Sequence, residues 1–435
     1  MIDFDQSFYL TIAYDIDRHG VFSNGVFDDV NSTAGVPPPG MFIAPLYPWL
    51  VLAATKIDPR FAKAMTCSVE ALNEKRDAPE CGTYARPMNL IHALLLAMGA
   101  VAIARSAELI FPGGATFWLA GGLATLALAA DAELFSFVMT ESLTFSLYSL
   151  TMLAMVVAWT TARWRYFALA GVLLGLLCLT RTAYLILAPV MIVLIVLQAR
   201  FVGGGKFWQS IFAFAFCFTV VVLPWAVRNY VSVGKFAMTE EYGAAALIER
   251  FAFNQMKPRE FALAFPYCLP VVGPSLVSCA FGKDIMDRFE WDRPGSFFET
   301  GRGARSALLA QHHRLDPVIG DIVRDEMSTN WWRHILVSIP LAWCGLWLGG
   351  LLGFVLVPAF VWAGIAAIRQ SKPLFLLYAA PALVMLALHA GVANHYTRYN
   401  LILIGAYAAG AAWLMARSAW FARARLQARA SGPAP

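Results

Sequence analysis

Nine apolar windows dominate this 435-residue chain, at about 88–110, 115–131, 136–159, 166–180, 183–199, 207–226, 349–368, 373–391 and 400–417. Roughly 20 apolar residues cross a bilayer core as a helix, and these windows reach or approach that length. A spanning segment has no water to bond to, so its backbone must pair internally, and helix follows. The chain is 59% hydrophobic and 14% charged, too little polar surface to cover a soluble protein of this size. The expected fold class is an all-α polytopic membrane protein. A further apolar stretch, 335–348, is expected to lie at the membrane interface. The net charge of +5 is small and dispersed, so nothing points to a nucleic-acid partner.

Short-loop charges orient the chain. Arg163 with Arg165, Arg200 with Lys206, Arg369 with Lys372, and Arg417 with Arg423, Arg425 and Arg429 all fall on one side. The positive-inside rule makes that side the cytoplasm. Five regions follow: a first outer loop with juxtamembrane helices (1–87), transmembrane helices (88–227), an outer-face subdomain with an interfacial helix (228–348), C-terminal transmembrane helices (349–417) and a basic cytoplasmic tail near anionic lipid (418–435). No cleavable signal precedes residues 1–87. Their outward placement therefore predicts a further apolar helix encoded upstream of Met1.

Cysteines support the same sidedness. Cys178, Cys217 and Cys344 lie in apolar segments and read as inert core residues. Cys67 and Cys81 share one outer region, and Cys268 and Cys279 share the other. Two local disulfides are expected, hence an oxidising compartment on that side. Metal-type CxxC spacing is absent, so no zinc site is expected, and no metal ligands are assigned. No motif demands a cofactor, and a divalent metal stays open.

Residues 1–50 combine acids with a Pro-rich, aromatic segment. Asp3, Asp5, Asp15 and Asp17 fall here, in a chain poor in charge. Residues 5–14 have helix-like spacing and suggest a short helix lying on the membrane. Farther on, the run Pro37, Pro38, Pro39 and Gly40 breaks any helix. The following MFIAPLYPWLVLAA, interrupted by Pro45 and Pro48, reads as a second surface or re-entrant helix. An acid in this region is read as a catalytic base; the alternative is that the acids only solvate a loop.

Charges at the outer span ends carry the rest. Arg181, Arg228, His395 and Arg398 sit where the positive-inside rule disfavours cations, and an anionic ligand would explain them. Arginine offers forked donors suited to phosphate oxygens; the alternative is snorkelling to headgroups. Glu141 stands in the third window, a turn or two from its outer end. A carboxylate at that depth faces protein or water, either as part of a site or in a helix-to-helix hydrogen bond or an ion pair with Arg181. Acids and arginines on one face suit sugar transfer from a lipid-linked phosphosugar. A carboxylate takes the acceptor proton, arginines stabilise the departing phosphate, and apolar grooves hold the polyprenyl tail.

Several motifs occur in order. Asp5, Tyr9 and Ala13 are followed by Gly20; then come APLYPWL with Pro45, Tyr47 and Pro48, TESL around Glu141, LTRT at 179–182, LPWAVRNY at 223–230, Gly-Lys-Phe at 234–236, and Arg398-Tyr399. In these the chain resembles bacterial GT-C glycosyltransferases of the protein mannosyltransferase/aminoarabinose transferase type (family 39-like). The resemblance implies a GT-C-type helical bundle whose outer-face loops carry short amphipathic helices. It implies a catalytic Asp5 and an inverting transfer from a polyprenyl-phosphate sugar to a protein, lipid or glycan acceptor. Donor-phosphate roles fall by position on Arg181, Arg228 and Arg398, with His395 beside them and Glu141, Tyr9, Tyr47 and Tyr399 in support. The implied location is the bacterial inner membrane, with the site on the periplasmic side. Two departures stand out: the family's first transmembrane helix is not seen before Asp5, and Ile43 and Ala44 occupy the region where aminoarabinose-type members carry a lysine. A transporter or flippase for a lipid-linked or anionic solute is the alternative. It would favour broken midplane helices and similar halves, and no such halves are visible. A structural assembly subunit, the third class, would not need clustered ionisable residues.

Overall fold

The computed structural model describes residues 4–25, 35–74, 81, 84–202, 207–393 and 397–430. Every regular element among them is helical. Six helices are long and apolar enough to cross a membrane: Arg86–Ile110, Glu141–Thr161, Thr182–Arg200, Phe207–Val233, Gly350–Arg369 and Pro373–Val392. Gly114–Ala130 and Trp164–Cys178 are shorter apolar helices, and Leu403–Ala430 closes the bundle. Each apolar window thus becomes a helix of an all-helical polytopic bundle.

Two elements depart from the sequence reading. The third window starts late, because 132–135 form a 3-10 turn and the helix begins at Glu141 itself. Glu141 therefore sits on the first turn of its span rather than inside it. The stretch 335–348 is not a separate interfacial helix. Through Leu346 it forms the C-terminal part of the 31-residue helix Asp316–Leu346, which joins the segment before it to the bundle.

The Glu141–Thr161 helix is the central one, with 78% of its apolar window buried inside the bundle. Its Phe145 shares one core with Tyr47, Tyr184, Phe375 and Tyr407, all essentially inaccessible. Two glycines let Trp164–Cys178 and Phe207–Val233 touch backbone to backbone. A Cβ on Gly171 would lie 2.3 Å from the Phe214 carbonyl oxygen, and one on Gly175 would lie 2.7 Å from Val221 Cβ. Small residues at such crossings are how membrane helices gain contact without a hydrophobic drive between them.

Residues between the Phe207–Val233 and Gly350–Arg369 helices fold as short helices and the long Asp316–Leu346 helix around a second core of Phe253, Phe289, Phe297, Phe298, Val337 and Leu341. Arg250, fully buried, fastens this core to the bundle. It donates to the Ala390 carbonyl at 2.7 Å, to Asn254 Oδ1 at 3.0 Å, to Ser338 Oγ at 3.0 Å and to the His334 carbonyl at 3.2 Å. A buried guanidinium needs this many acceptors, since each unmet donor is costly.

Cys67 and Cys81 form a disulfide. The second bridge joins Cys268 to Cys344, not to Cys279, which is a free exposed thiol. Cys344 is accordingly not an inert core cysteine. The cause is packing: helix Pro258–Tyr267 lies along Asp316–Leu346, where Trp343 Nε1 donates to the Phe265 carbonyl at 2.9 Å. That contact brings residue 344, far off in sequence, to Cys268, while the chain reverses and carries Cys279 outward.

Candidate active site

Asp5 lies on the first turn of helix Phe4–His19. Gln6 holds that turn against the bundle by accepting the Val138 backbone N–H at 2.9 Å. The other acids of the first segment are committed elsewhere. Asp15 is buried and accepts from Ser23 Oγ at 2.5 Å; Asp17 pairs with Lys56. Asp3 lies outside the described residues.

Asp5 forms an ion pair with Arg398. Arg398 Nε lies 3.8 Å from Glu141 Oε1, and the same oxygen accepts from Arg181 Nη2 at 3.3 Å. Tyr399 completes the group: its ring centroid is 4.9 Å from the Arg181 guanidinium carbon and 5.5 Å from that of Arg398. Two cations and two anions thus form one chain, Asp5–Arg398–Glu141–Arg181, at a single end of the bundle. Glu141 is 2% exposed and the two arginines 16–17%. Asp5 is the open member, at 34%. Glu141 Oε2 is buried and has no hydrogen-bond partner among the described residues. An orphaned carboxylate oxygen in such a place normally marks a missing partner.

Tyr9 and Tyr47 back this chain. Their rings meet edge to face at 4.9 Å. Tyr47 OH is 2.9 Å from His92 Nε2, and His92 Nδ1 is 3.1 Å from the Phe135 carbonyl. Burial pushes the Tyr9 phenol well up, so it remains a neutral donor. The Leu46 N–H donates to the Leu179 carbonyl at 2.8 Å, which joins the Pro-rich motif to the segment carrying Arg181.

Arg228 is placed differently from the sequence expectation. It donates to the Gly40 carbonyl at 2.6 Å, to the Phe22 carbonyl at 2.9 Å and to Asn229 Oδ1 at 3.1 Å, and it stacks over Trp225. It pins the chain on either side of residues 26–34, and no ion pair joins it to Asp5, Glu141, Arg181 or Arg398 among the described residues. It borders an apolar groove of about 810 Å³ lined by Leu46, Trp49, Leu179, Val221 and Trp225. His395 lies outside the described residues.

One residue was missed by sequence reasoning. Tyr242 packs its ring on Phe42 at 5.6 Å and stands within electrostatic reach of Tyr399, Asp5, Arg181 and Tyr9. Tyr399 and desolvation push its phenol well above the ordinary value. The preceding Glu241 holds a positive φ of 63°, unusual and costly for a non-glycine residue. Its carboxylate accepts the Leu315 N–H at 2.6 Å and Arg314 Nε at 3.3 Å. Beside it, Glu240 pairs with Lys235 at 2.5 Å and Arg314 at 2.6 Å. This latch aims Tyr242 at the site. The Glu240-Glu241 pair just before it was the available sequence signal. Among the described residues, no three His, Cys, Asp or Glu side chains converge as a metal set.

No family model matches the chain, and no curated protein matches it. Among solved structures, it is similar to the Archaeoglobus fulgidus oligosaccharyltransferase in the apo form, at 12% identity and a TM-score of 0.49. That match covers 99% of this chain and 48% of the other, so the chain spans about half the archaeal protein's length. It is also similar to ArnT from Cupriavidus metallidurans bound to undecaprenyl phosphate, at 13% identity and a TM-score of 0.39, covering 94% of this chain and 74% of the other. The apo state of the same ArnT matches at 15% identity and a TM-score of 0.37, covering 94% and 73%. All three scores lie below 0.5, so these likenesses by themselves assign neither family nor activity.

Proposed function

We propose that this protein is a membrane glycosyltransferase of the GT-C type. It moves a sugar from a polyprenyl-phosphate carrier to an acceptor hydroxyl, with inversion, at the non-cytoplasmic face of a bacterial inner membrane. The observation that carries this reading is the charge chain Asp5–Arg398–Glu141–Arg181 at one bundle end, with Asp5 its most exposed member. The ordered motifs around these residues support the same reading.

In the proposed reaction the acceptor oxygen attacks the anomeric carbon and loses its proton to Asp5. The bond from that carbon to the phosphate oxygen breaks, and negative charge develops on the leaving lipid phosphate. Arg398, now paired with Asp5, turns toward the phosphate as it enters, which frees the carboxylate to act as base. Arg181 adds a second fixed positive charge on the same side. Glu141 holds both arginines through Oε1, and a donor-sugar hydroxyl would satisfy its orphaned Oε2. The groove beside Arg228 and Trp225 suits the first units of the prenyl chain.

The test is Asp5→Asn, assayed with a panel of polyprenyl-phosphate hexoses and pentoses by release of polyprenyl phosphate. Loss of a general base costs about 10²–10⁴-fold, while donor binding persists. Transfer within tenfold of the parent would remove Asp5 from this role. Donor binding and flipping without any transfer in the parent would favour a transporter.

A further inference from the structure

Residues 261–282 form a stretch of 22 residues with no Asp, Glu, Lys, Arg or His. Its length alone would let it cross a membrane, yet it doubles back. Helix Pro258–Tyr267 ends at Cys268, and helix Gly273–Phe281 returns. The turn is tightly forced. Val271 adopts a φ of 65°, a genuine outlier for a β-branched residue, and a Cβ on Gly273 would lie 2.2 Å from the Tyr267 carbonyl oxygen.

One face of this hairpin is packed. Leu263, Ala264 and Val277 are buried, and the Cys268–Cys344 bridge staples it to helix Asp316–Leu346. The other face is bare at Val271, Val272 and Leu276, which are 69%, 46% and 51% exposed, while Phe281, 45% exposed, has the Arg259 guanidinium over its ring at 5.6 Å. Single exposed apolar residues need no account, but a contiguous patch does.

Its position says what covers it. Pro270 packs at Gly353, the first residue of helix Gly353–Arg369, where an added Cβ would meet Pro270 Cγ at 3.5 Å. The Gly349 N–H donates to Asp131 Oδ2 at 2.9 Å, at the end of helix Gly114–Ala130. The hairpin tip therefore stands at the level where two apolar helices of the bundle end. Trp343, Trp347 and Phe354 pack in series at this level, edge to face and then tilted, with centroids 5.0 Å and 5.4 Å apart; aromatic residues of this kind are enriched at membrane interfaces. The bare face continues into Leu351 and Val355, each 62% exposed. Exposed cations bound the uncharged stretch at Arg259 and Lys283, where they can reach headgroup phosphates.

We propose that residues 261–282 are a membrane wedge, lying in the lipid interface of the leaflet at this bundle end with Val271, Val272 and Leu276 against acyl chains and Phe281, beneath Arg259, at the headgroup edge. Apart from the Arg259 guanidinium over Phe281 at its edge, the hairpin carries no charge, which matches hydrocarbon rather than a charged polypeptide partner. This inference rests on the multi-pass fold and is independent of the proposed transfer reaction.

The full chain in phosphatidylcholine/phosphatidylglycerol nanodiscs tests it. Leu276→Cys, in a chain also carrying Cys217→Ser and Cys279→Ser, takes an environment-sensitive NBD label; Ser328→Cys in the same background is the water-facing control. The wedge predicts blue-shifted emission at 276, with doxyl-lipid quenching at least threefold stronger than iodide quenching and the reverse order at 328. Native Cys279, one helical turn from Leu276 and exposed, gives the same readout in the Cys217→Ser chain without altering the hairpin. Iodide quenching at 276 and 279 equal to that at 328, without lipid quenching, overturns the proposal. So does a blue shift that needs two copies per disc and shows no lipid quenching, because a second protomer would then cover the face.

Discussion

Replacing Glu141 by Gln keeps its shape and removes the one anion that touches both arginines of the site. Glu141 Oε1 lies 3.3 Å from Arg181 Nη2 and 3.8 Å from Arg398 Nε. At an effective dielectric of about 20, these contacts correspond to about 5 and about 4 kcal/mol of attraction. Arg398 retains Asp5 as a partner, whereas Arg181 has no second ion pair among the described residues. The cost is then that of stranding one largely buried cation, about 3–5 kcal/mol, a large share of the roughly 5–15 kcal/mol that folded domains possess. The assay is unfolding in mixed detergent–SDS micelles, run as a double-mutant cycle. Glu141→Gln should destabilise by about 3–5 kcal/mol. Adding Arg181→Gln should return part of that loss, with a coupling of about 2–3 kcal/mol. A coupling below about 0.5 kcal/mol would refute the reasoning, since it would mean that the two side chains do not share their charge.

Arg398→Lys keeps a charge but loses the fork that can serve Asp5 and Glu141 together; it should lower transfer about 100-fold while donor binding changes less, read from separate kcat and binding measurements. Tyr242→Phe removes a single hydroxyl at the site and should lower transfer with unfolding unchanged within about 0.5 kcal/mol; unaltered turnover would place the hydroxyl outside the reaction. Non-reducing peptide mapping should recover Cys268 linked to Cys344, with Cys279 alkylated before any reductant is added. Asp15 is held above the usual carboxylate range by burial, which outweighs the Ser23 hydroxyl bond and the pull of His19. Its folded form therefore binds protons more readily than the unfolded one. The stability it contributes is full below its unfolded pKa of about 3.9 and is lost as pH rises through the higher folded value. Asp15→Asn should flatten that part of the stability–pH curve, and an unchanged slope would show that Asp15 is not its source.

The helical, multi-pass character of this protein was legible from the sequence because it is a local property. A run of apolar residues with no water to bond must pair its own backbone, wherever the rest of the chain goes. The same logic singled out Glu141, Arg181 and Arg398, since charges at span ends are expensive to keep and so stand out, while Asp5 stood out by its motif in the acidic first segment. What no local pattern carried was which of these groups meet. Asp5 and Arg398 are 393 residues apart and pair only because the first helix and the 397–400 turn pack at one bundle end. Arg228 had the same sequence credentials as Arg181, yet the carbonyls of Gly40 and Phe22 claimed its donors. Cys268 passed over its near neighbour for Cys344 because two helices lie side by side there. Tyr242, one of 14 tyrosines, was indistinguishable until a strained Glu241 and its latch showed where it points. Spans follow from composition along the chain, whereas ion pairs, bridges and aim depend on contacts between distant segments, and only the packed bundle decides those.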